Sequence, residues 1–170
     1  EEIMESKVVS GVAHSRDEAK ITLFTIEDRP GIAAAIFGPL ADAGVNVDMI
    51  VQNISPLGGA AGSAVTDMTF SCPVDQVPRA KRALDEAVAA GKIKYGSLVV
   101  DTEVSKVSVV GIGMRSHAGV AAKMFTSLAR ENINIKVIAT SEIKISVLID
   151  RKYMELAVQT LHDAFSLESA

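Results

Sequence analysis

Tryptophan is absent from this chain of 170 residues, and aromatic residues of any kind make up only 4% of it. A surface that stacks nucleic-acid bases on exposed rings has only two Tyr and five Phe to draw on, which argues against an RNA-binding face. Cationic residues are in deficit: the net charge is −4, which argues against nucleic-acid or anionic-membrane partners. No apolar run approaches the ~18 residues that a membrane-spanning helix needs. The first seven residues (EEIMESK) contain no apolar core of a secretory signal. The single cysteine, Cys72, excludes an internal disulfide and fits a reducing, cytoplasmic setting. His14, His117 and His162 are scattered, without metal-ligand spacing around Cys72. No Ser-His-Asp or Cys-His set can be assembled, so no catalytic site, metal or cofactor is expected in the chain itself. The chain opens on Glu1 rather than Met, which suits an excised fragment or a product starting near Met4.

What is present is aliphatic. Hydrophobic residues reach 48%, so Ala, Val, Ile and Leu must fill the core. They do so in a pattern that occurs twice. Residues 21–29 (ITLFTIEDR) align with 107–115 (VSVVGIGMR) at an offset of 86. After two extra residues, 30–48 (PGIAAAIFGPLADAGVNVD) aligns with 118–136 (AGVAAKMFTSLARENINIK) at an offset of 88. Gly31/Gly119, Ala33/Ala121, Ala34/Ala122, Phe37/Phe125, Leu40/Leu128, Ala41/Ala129 and Asn46/Asn134 coincide. Two copies of one supersecondary unit is the simplest reading.

Each copy reads as strand, helix, strand, strand, helix. In the first, 20–26 alternates and is rich in β-branched residues, as a strand requires. Pro30 is placed in the first turn of a helix, where its missing N–H would have had no partner. Ile32, Ile36, Leu40 and Ala43 recur at helical spacing, and Gly44 closes the helix. Pro39 inside it predicts a kink or local irregularity. Strands follow at 45–53 and 65–72, joined by a long loop at 54–64; the second copy has strands at 135–141 and 142–149 with a tight connection. Closing helices carry the stripes Val77, Ala80, Leu84, Val88 and Tyr153, Leu156, Ala157, Thr160, Leu161, Ala164.

Two further strand-like segments, 7–13 and 94–101, each precede a copy. The second closes the first sheet; the first is expected to cross over and complete the other, inserting one unit into its twin. The predicted class is α+β: two ferredoxin-like βαββαβ units, at 16–101 and at 102–170 completed by strand 7–14, with antiparallel sheets and helices on one face.

The strand-to-helix junction, Asp28-Arg29-Pro30-Gly31-Ile32-Ala33-Ala34, is the best functional candidate. The first N–H groups of a helix lack internal partners and carry the positive end of its dipole, which suits a carboxylate. Gly31 and Ala33 let a ligand approach the backbone. Asp28 can meet an α-ammonium group, and Gln52 or Asn53 can add directional hydrogen bonds. Together these suit a zwitterionic amino acid; an ordinary tight turn between strand and helix is the competing reading. In the second copy, His117 is either a ligand contact or an exposed or capping histidine. Asn46 and Asn134 either satisfy turn groups or face a ligand held by the other copy. Gly111-Ile112-Gly113 does not complete a dinucleotide fingerprint, because Ser116 occupies the third glycine position. The glycine-rich run 58–63 lacks the Lys-Ser/Thr of a phosphate-binding loop.

The run VNVDMIVQNIS, the DRPG junction before it, and KVSVVGIGMRSHAGVAAKMF with NINIKVIATSEIKISVLI after it resemble the regulatory regions of aspartate kinases. The resemblance covers residues 8–165, with Ala118 standing where the family usually has Pro. It implies two ACT domains that bind threonine and/or lysine and mediate feedback inhibition of aspartate phosphorylation, with no catalytic site in this part. It also implies a homodimer and a catalytic-subunit partner. Carried over, the threonine-type site comprises Asp28, Gly31, Ile32, Ala33 and Gln52, completed by Asn134 and Ile135 of a facing module. A second effector site would use Met114, His117, Gly119, Val120 and Ala121 with Asn46 and Val47. The alternatives are an ACT-type amino-acid sensor of another biosynthetic enzyme, or a ferredoxin-like interaction module that senses nothing.

Overall fold

The computed structural model describes residues 9–54, 65–113 and 118–167. Among them are strands β1 (Val9–Glu27), β2 (Asp48–Ile54), β3 (Val65–Pro73), β4 (Ser97–Gly111), β5 (Val137–Thr140) and β6 (Lys144–Asp150). The helices are α1 (Ile32–Asp42), α2 (Val77–Ala89), α3 (Ala118–Arg130) and α4 (Met154–Ala164). No helix among the described residues is long and apolar enough to cross a membrane. The chain divides into one unit of Glu18–Thr102 and another of Glu1–Asp17 with Glu103–Ala170. Both boundaries fall inside continuous strands. Where the sequence suggested separate strands at 7–13 and 20–26, β1 is one strand of 19 residues. Likewise β4 runs 15 residues, joining the segment near 94–101 to the one that starts the second copy. The polar stretch His14–Asp17 does not interrupt β1, because sheet pairing and side-chain bonds to its backbone satisfy it; the Ser105 hydroxyl, for one, donates to the Arg16 carbonyl at 2.7 Å.

In the unit of Glu18–Thr102 the strands lie in the order β2-β3-β1-β4. Ala19, Ile21 and Leu23 of β1 and Met68, Phe70 and Cys72 of β3 alternate onto one face. That face is covered by Ile32, Ile36 and Leu40 of α1 and by Val77, Ala80, Leu84 and Ala87 of α2. The rings of Phe37 and Phe70 meet edge-to-face at 5.5 Å. Burying each large side chain here contributes about 1.5–3 kcal/mol. Ala87, rather than the anticipated Val88, completes the α2 stripe; Val88 is 40% exposed. The α1 helix runs through Pro39, which costs it one helical hydrogen bond at the Ala35 carbonyl.

In the other unit the order is β1-β4-β6-β5. Ser10 Oγ donates to the Val110 carbonyl, and Ser105 bonds Arg16, so numbers rise along β4 as they fall along β1: the pair is antiparallel. Val9 joins Val107, Val109, Ile145, Val147 and Ile149 beneath Val120, Met124 and Leu128 of α3 and Met154, Ala157 and Leu161 of α4. Leu156, assigned to that stripe from spacing, is 42% exposed. With residues 9–17 as the last strand, both units show the ferredoxin-like βαββαβ arrangement.

The repeat extends to the helix ends. After α1, the Gly44 and Val45 N–H groups bond the Ala41 and Leu40 carbonyls; after α3, Asn132 and Ile133 bond Ala129 and Leu128. Gly44 (φ +76°) and Asn132 (φ +58°) both adopt the left-handed conformation that this helix stop requires. The helix starts differ. Ala118, aligned with Pro30, is already helical in α3, whereas α1 begins two residues later in the repeat, at Ile32.

Candidate functional site

Pro30 is not in the first turn of α1, as spacing suggested, but in a turn that precedes the helix. The Ile32 N–H donates to the Arg29 carbonyl at 3.1 Å, and Gly31 adopts φ +87° and ψ −5°. Proline at the second position and a left-handed glycine at the third are the signature of a type II turn. Proline wins there because its ring presets the φ that this turn needs, while Gly31 supplies a conformation costly to any side chain. The helix then opens with the Ala35 N–H on the Gly31 carbonyl at 3.0 Å. Among the described residues no side chain caps α1, and no backbone carbonyl takes the N–H of Ala33 or Ala34. Both alanines are exposed, and a Cβ on Gly31 would meet nothing within 4 Å. The start of α1 therefore presents uncapped donors to open space, in the positive field of its dipole.

The surroundings reinforce the positive sign. Arg29 Nη2 donates to the Lys92 carbonyl at 3.3 Å, tying the junction to the turn after α2. A groove of about 420 Å³ runs beside it, lined by Glu27, Arg29, Ile32, Lys92 and Lys94 among others. A second, of about 380 Å³, shares Glu27 and Lys94 and reaches Tyr95 and Gly96. Burial, and then the negative charge of Asp85, push the Tyr95 phenol above its ordinary pKa, so it remains a neutral hydrogen-bonding group.

Asp28 is half-buried, and Gly31 and Ala33 are exposed. Ile32 is only 5% exposed and packs in the core, and its N–H is already held by the Arg29 carbonyl, so it shapes the junction rather than meeting a ligand. Gln52 and Asn53 are exposed on β2, the edge strand. Because β1 and β2 both pair antiparallel with β3, they point the same way. Leu23 and Gln52 both stand opposite Met68, and Ile26 stands opposite Thr66 as Ile54 does. Gln52 thus lies at the same end of the sheet as the junction, on the face that carries α1, two strand spacings or about 10 Å across.

In the same unit Asn46 is exposed, its N–H held by Gln76 Oε1 at 2.7 Å, while Val47 packs against the core. Arg79 Nη1 adds a bond to the Gly44 carbonyl at 3.1 Å. Sequence reasoning missed both anchors, since neither residue has a motif around it. In the other unit Asn134 is exposed and Ile135 packs on the core. Gly119 is half-buried and Ala121 packs on the core; Val120 is fully buried, so its side chain is closed to a ligand. Met114 and His117 lie outside the described residues, as do the loop residues 55–64. No group of three His, Cys, Asp or Glu among the described residues is placed to hold a metal ion.

Two family models, each of an ACT domain, match residues 20–89 and 107–165. The chain is 49% identical over 169 residues to the aspartate kinase of Pseudomonas fluorescens (strain SBW25), covering 99% of itself and 39% of that protein. It therefore spans well under half the length of the curated relatives it matches. Its structure is similar to the ligand-free regulatory subunit of aspartate kinase from Thermus thermophilus, with a TM-score of 0.80 and 41% identity over 94% of this chain and 99% of that one. A chain from a structure of aspartokinase alpha and beta subunits gives 0.79 at 47% identity, over 94% and 99% respectively. With 94% of its length matched by a regulatory subunit at 41% identity and both halves matched by ACT models, this chain belongs to the aspartate kinase family, as a regulatory region of two ACT domains.

Proposed function

We propose that this region senses end-product amino acids and feeds that signal back onto phosphorylation of the aspartate carboxylate by a catalytic partner in the cytoplasm. The observation that carries the reading is the start of α1: an uncapped helix terminus behind a glycine turn, with Gln52 at the same end of the sheet. The effector carboxylate takes the free N–H groups at Ala33 and Ala34, Asp28 takes the ammonium, and Gln52 fixes orientation. Asn134 and Ile135 of a second copy of the chain complete the site, which makes the functional unit a homodimer. Threonine fits this set, with lysine as the other candidate; the second junction, with Gly119 and the backbone of Val120, is a place for a second effector. The pairing of alpha and beta subunits in one similar structure supports a catalytic subunit as partner.

An effector that bridges two copies stabilises only the arrangement in which both halves of the site face each other. Its differential affinity sets how far the partner is driven toward an inactive state, typically by ~1–3 kcal/mol. The test is thermal unfolding with and without threonine, lysine, methionine and aspartate. At 100 times Kd a bound ligand adds ~2.7 kcal/mol, or roughly 5–10 °C in Tm. A shift with threonine or lysine supports the reading. No shift with any amino acid, with or without a catalytic subunit, overturns it.

A further inference from the structure

The two copies differ at the end of the strand that leads into the helix. In β1 the pairing with β3 slips by one residue between Leu23 and Ile26, so Phe24 and Thr25 together face Asp67. Thr25 sits at φ +59°, a conformation that a β-branched residue rarely adopts. Two hydrogen bonds and the absence of a side chain at Gly96 hold it. The Thr25 N–H donates to Asp67 Oδ1 at 2.9 Å, the Gly96 N–H donates to the Phe24 carbonyl at 2.9 Å, and Gly96 has no side chain. A Cβ at Gly96 would stand 3.1 Å from the Thr25 Cβ.

The bulge reverses the alternation of the strand. Ala19, Ile21 and Leu23 point into the core, and after the extra residue Ile26 does so too, at 1% exposure. In the second copy the β4–β6 register is unbroken from Val104 to Val110, and Gly111 takes the place of Thr25. There Ile112, the counterpart of Ile26, is 85% exposed. Lys144 stands where Asp67 would, in the same frame that aligns Ser146 with Thr69, and an ammonium group cannot accept a hydrogen bond. The matching isoleucine thus points inward where the facing strand carries Asp67 and outward where it carries Lys144.

We infer that Asp67 is a positioning residue for the proposed amino-acid site. By holding the bulge it anchors Ile26 in the core and thereby sets which way Asp28, two residues on, and the Arg29–Ile32 turn are presented. The inference rests on the effector reading given above and adds a determinant that contacts no ligand itself.

The test measures threonine and lysine affinity of the whole chain by titration calorimetry in Asp67→Ala, Asp67→Asn and Arg79→Ala. Asp67→Ala weakens binding about tenfold or more, as loss of a hydrogen bond to a charged acceptor predicts. Asp67→Asn keeps an oxygen acceptor and stays within about threefold of the parent. Arg79→Ala removes an anchor at the far end of α1, lowers stability and leaves affinity unchanged, which separates positioning from general loosening. Amide exchange at Thr25 is slow in the parent and in Asp67→Asn and fast in Asp67→Ala. Parent-like binding by Asp67→Ala, or an Asp67→Asn variant as weak as it, overturns the inference. If Gly31→Asp abolishes binding while Asp67→Ala does not, this inference alone fails; if the parent binds neither amino acid, the effector reading falls and this one with it.

Discussion

Thr22 Oγ1 lies 3.0 Å from Thr69 Oγ1, directly across the central β1–β3 pair, and the repeat reproduces the contact as Ser108 Oγ to Ser146 Oγ at 2.6 Å. In each unit a hydroxyl pair thus joins two neighbouring strands on the face away from the helices. The serine pair is the more deeply placed, with both residues 3% exposed.

Removing one hydroxyl of that buried pair strands the other. Ser146→Ala and Ser108→Ala should each cost about 1–2 kcal/mol, while the double variant costs less than their sum, because both partners are then gone. Urea unfolding of the four proteins checks this; strict additivity would show that the hydroxyls do not depend on each other.

Gly31→Ala meets no steric obstacle, since nothing lies within 4 Å of the added Cβ, but it must hold φ +87°. The strain should cost ~1–2 kcal/mol. Effector affinity falls with it, because the turn that aims the Ala33 and Ala34 N–H groups relaxes. Calorimetric titration alongside thermal unfolding separates the two effects.

Gln52→Ala touches an exposed edge-strand residue and should leave stability within ~0.5 kcal/mol. Its predicted effect is on effector binding alone. Unchanged affinity for both threonine and lysine would remove Gln52 from the site.

Burial raises the Cys72 thiol from its ordinary 9.0 to about 11, with Glu18 and then Asp75 adding to the shift. A raised folded-state pKa means that the native chain holds its proton where the unfolded chain has lost it. The stabilisation is complete below pH 9.0 and is lost as pH rises toward about 11. The native thiol should therefore resist a thiol-specific reagent at pH 8 and react once urea exposes it. Cys72→Ala should flatten the decline in stability across that alkaline window.

Much of the local structure was legible because it depends on neighbours in sequence. The 65–72 strand appears as Val65–Pro73, since Met68, Phe70 and Cys72 recur at every second position and satisfy one buried face whatever the partner. Gly44 stops its helix as read from the sequence, because glycine takes the left-handed conformation at no steric cost; Asn132 does the same at the matching position of the second copy. The 45–53 strand starts late, at Asp48, because Val45 is drawn into the hydrogen bonds that end α1.

Residue type and spacing decided that there are two copies, which helix faces are apolar and where the first strand of each copy hands over to a helix. Each follows from periodicity or from preferences within a few residues. Other features awaited the folded chain: that β1 and β4 run unbroken, that Ile26 is buried and Ile112 is not, and that Gln76 and Arg79 reach the turn after α1. Their cause is pairing at long range. The bulge in β1 depends on a carboxylate 42 residues away, and no local pattern announces which strand will bring it there.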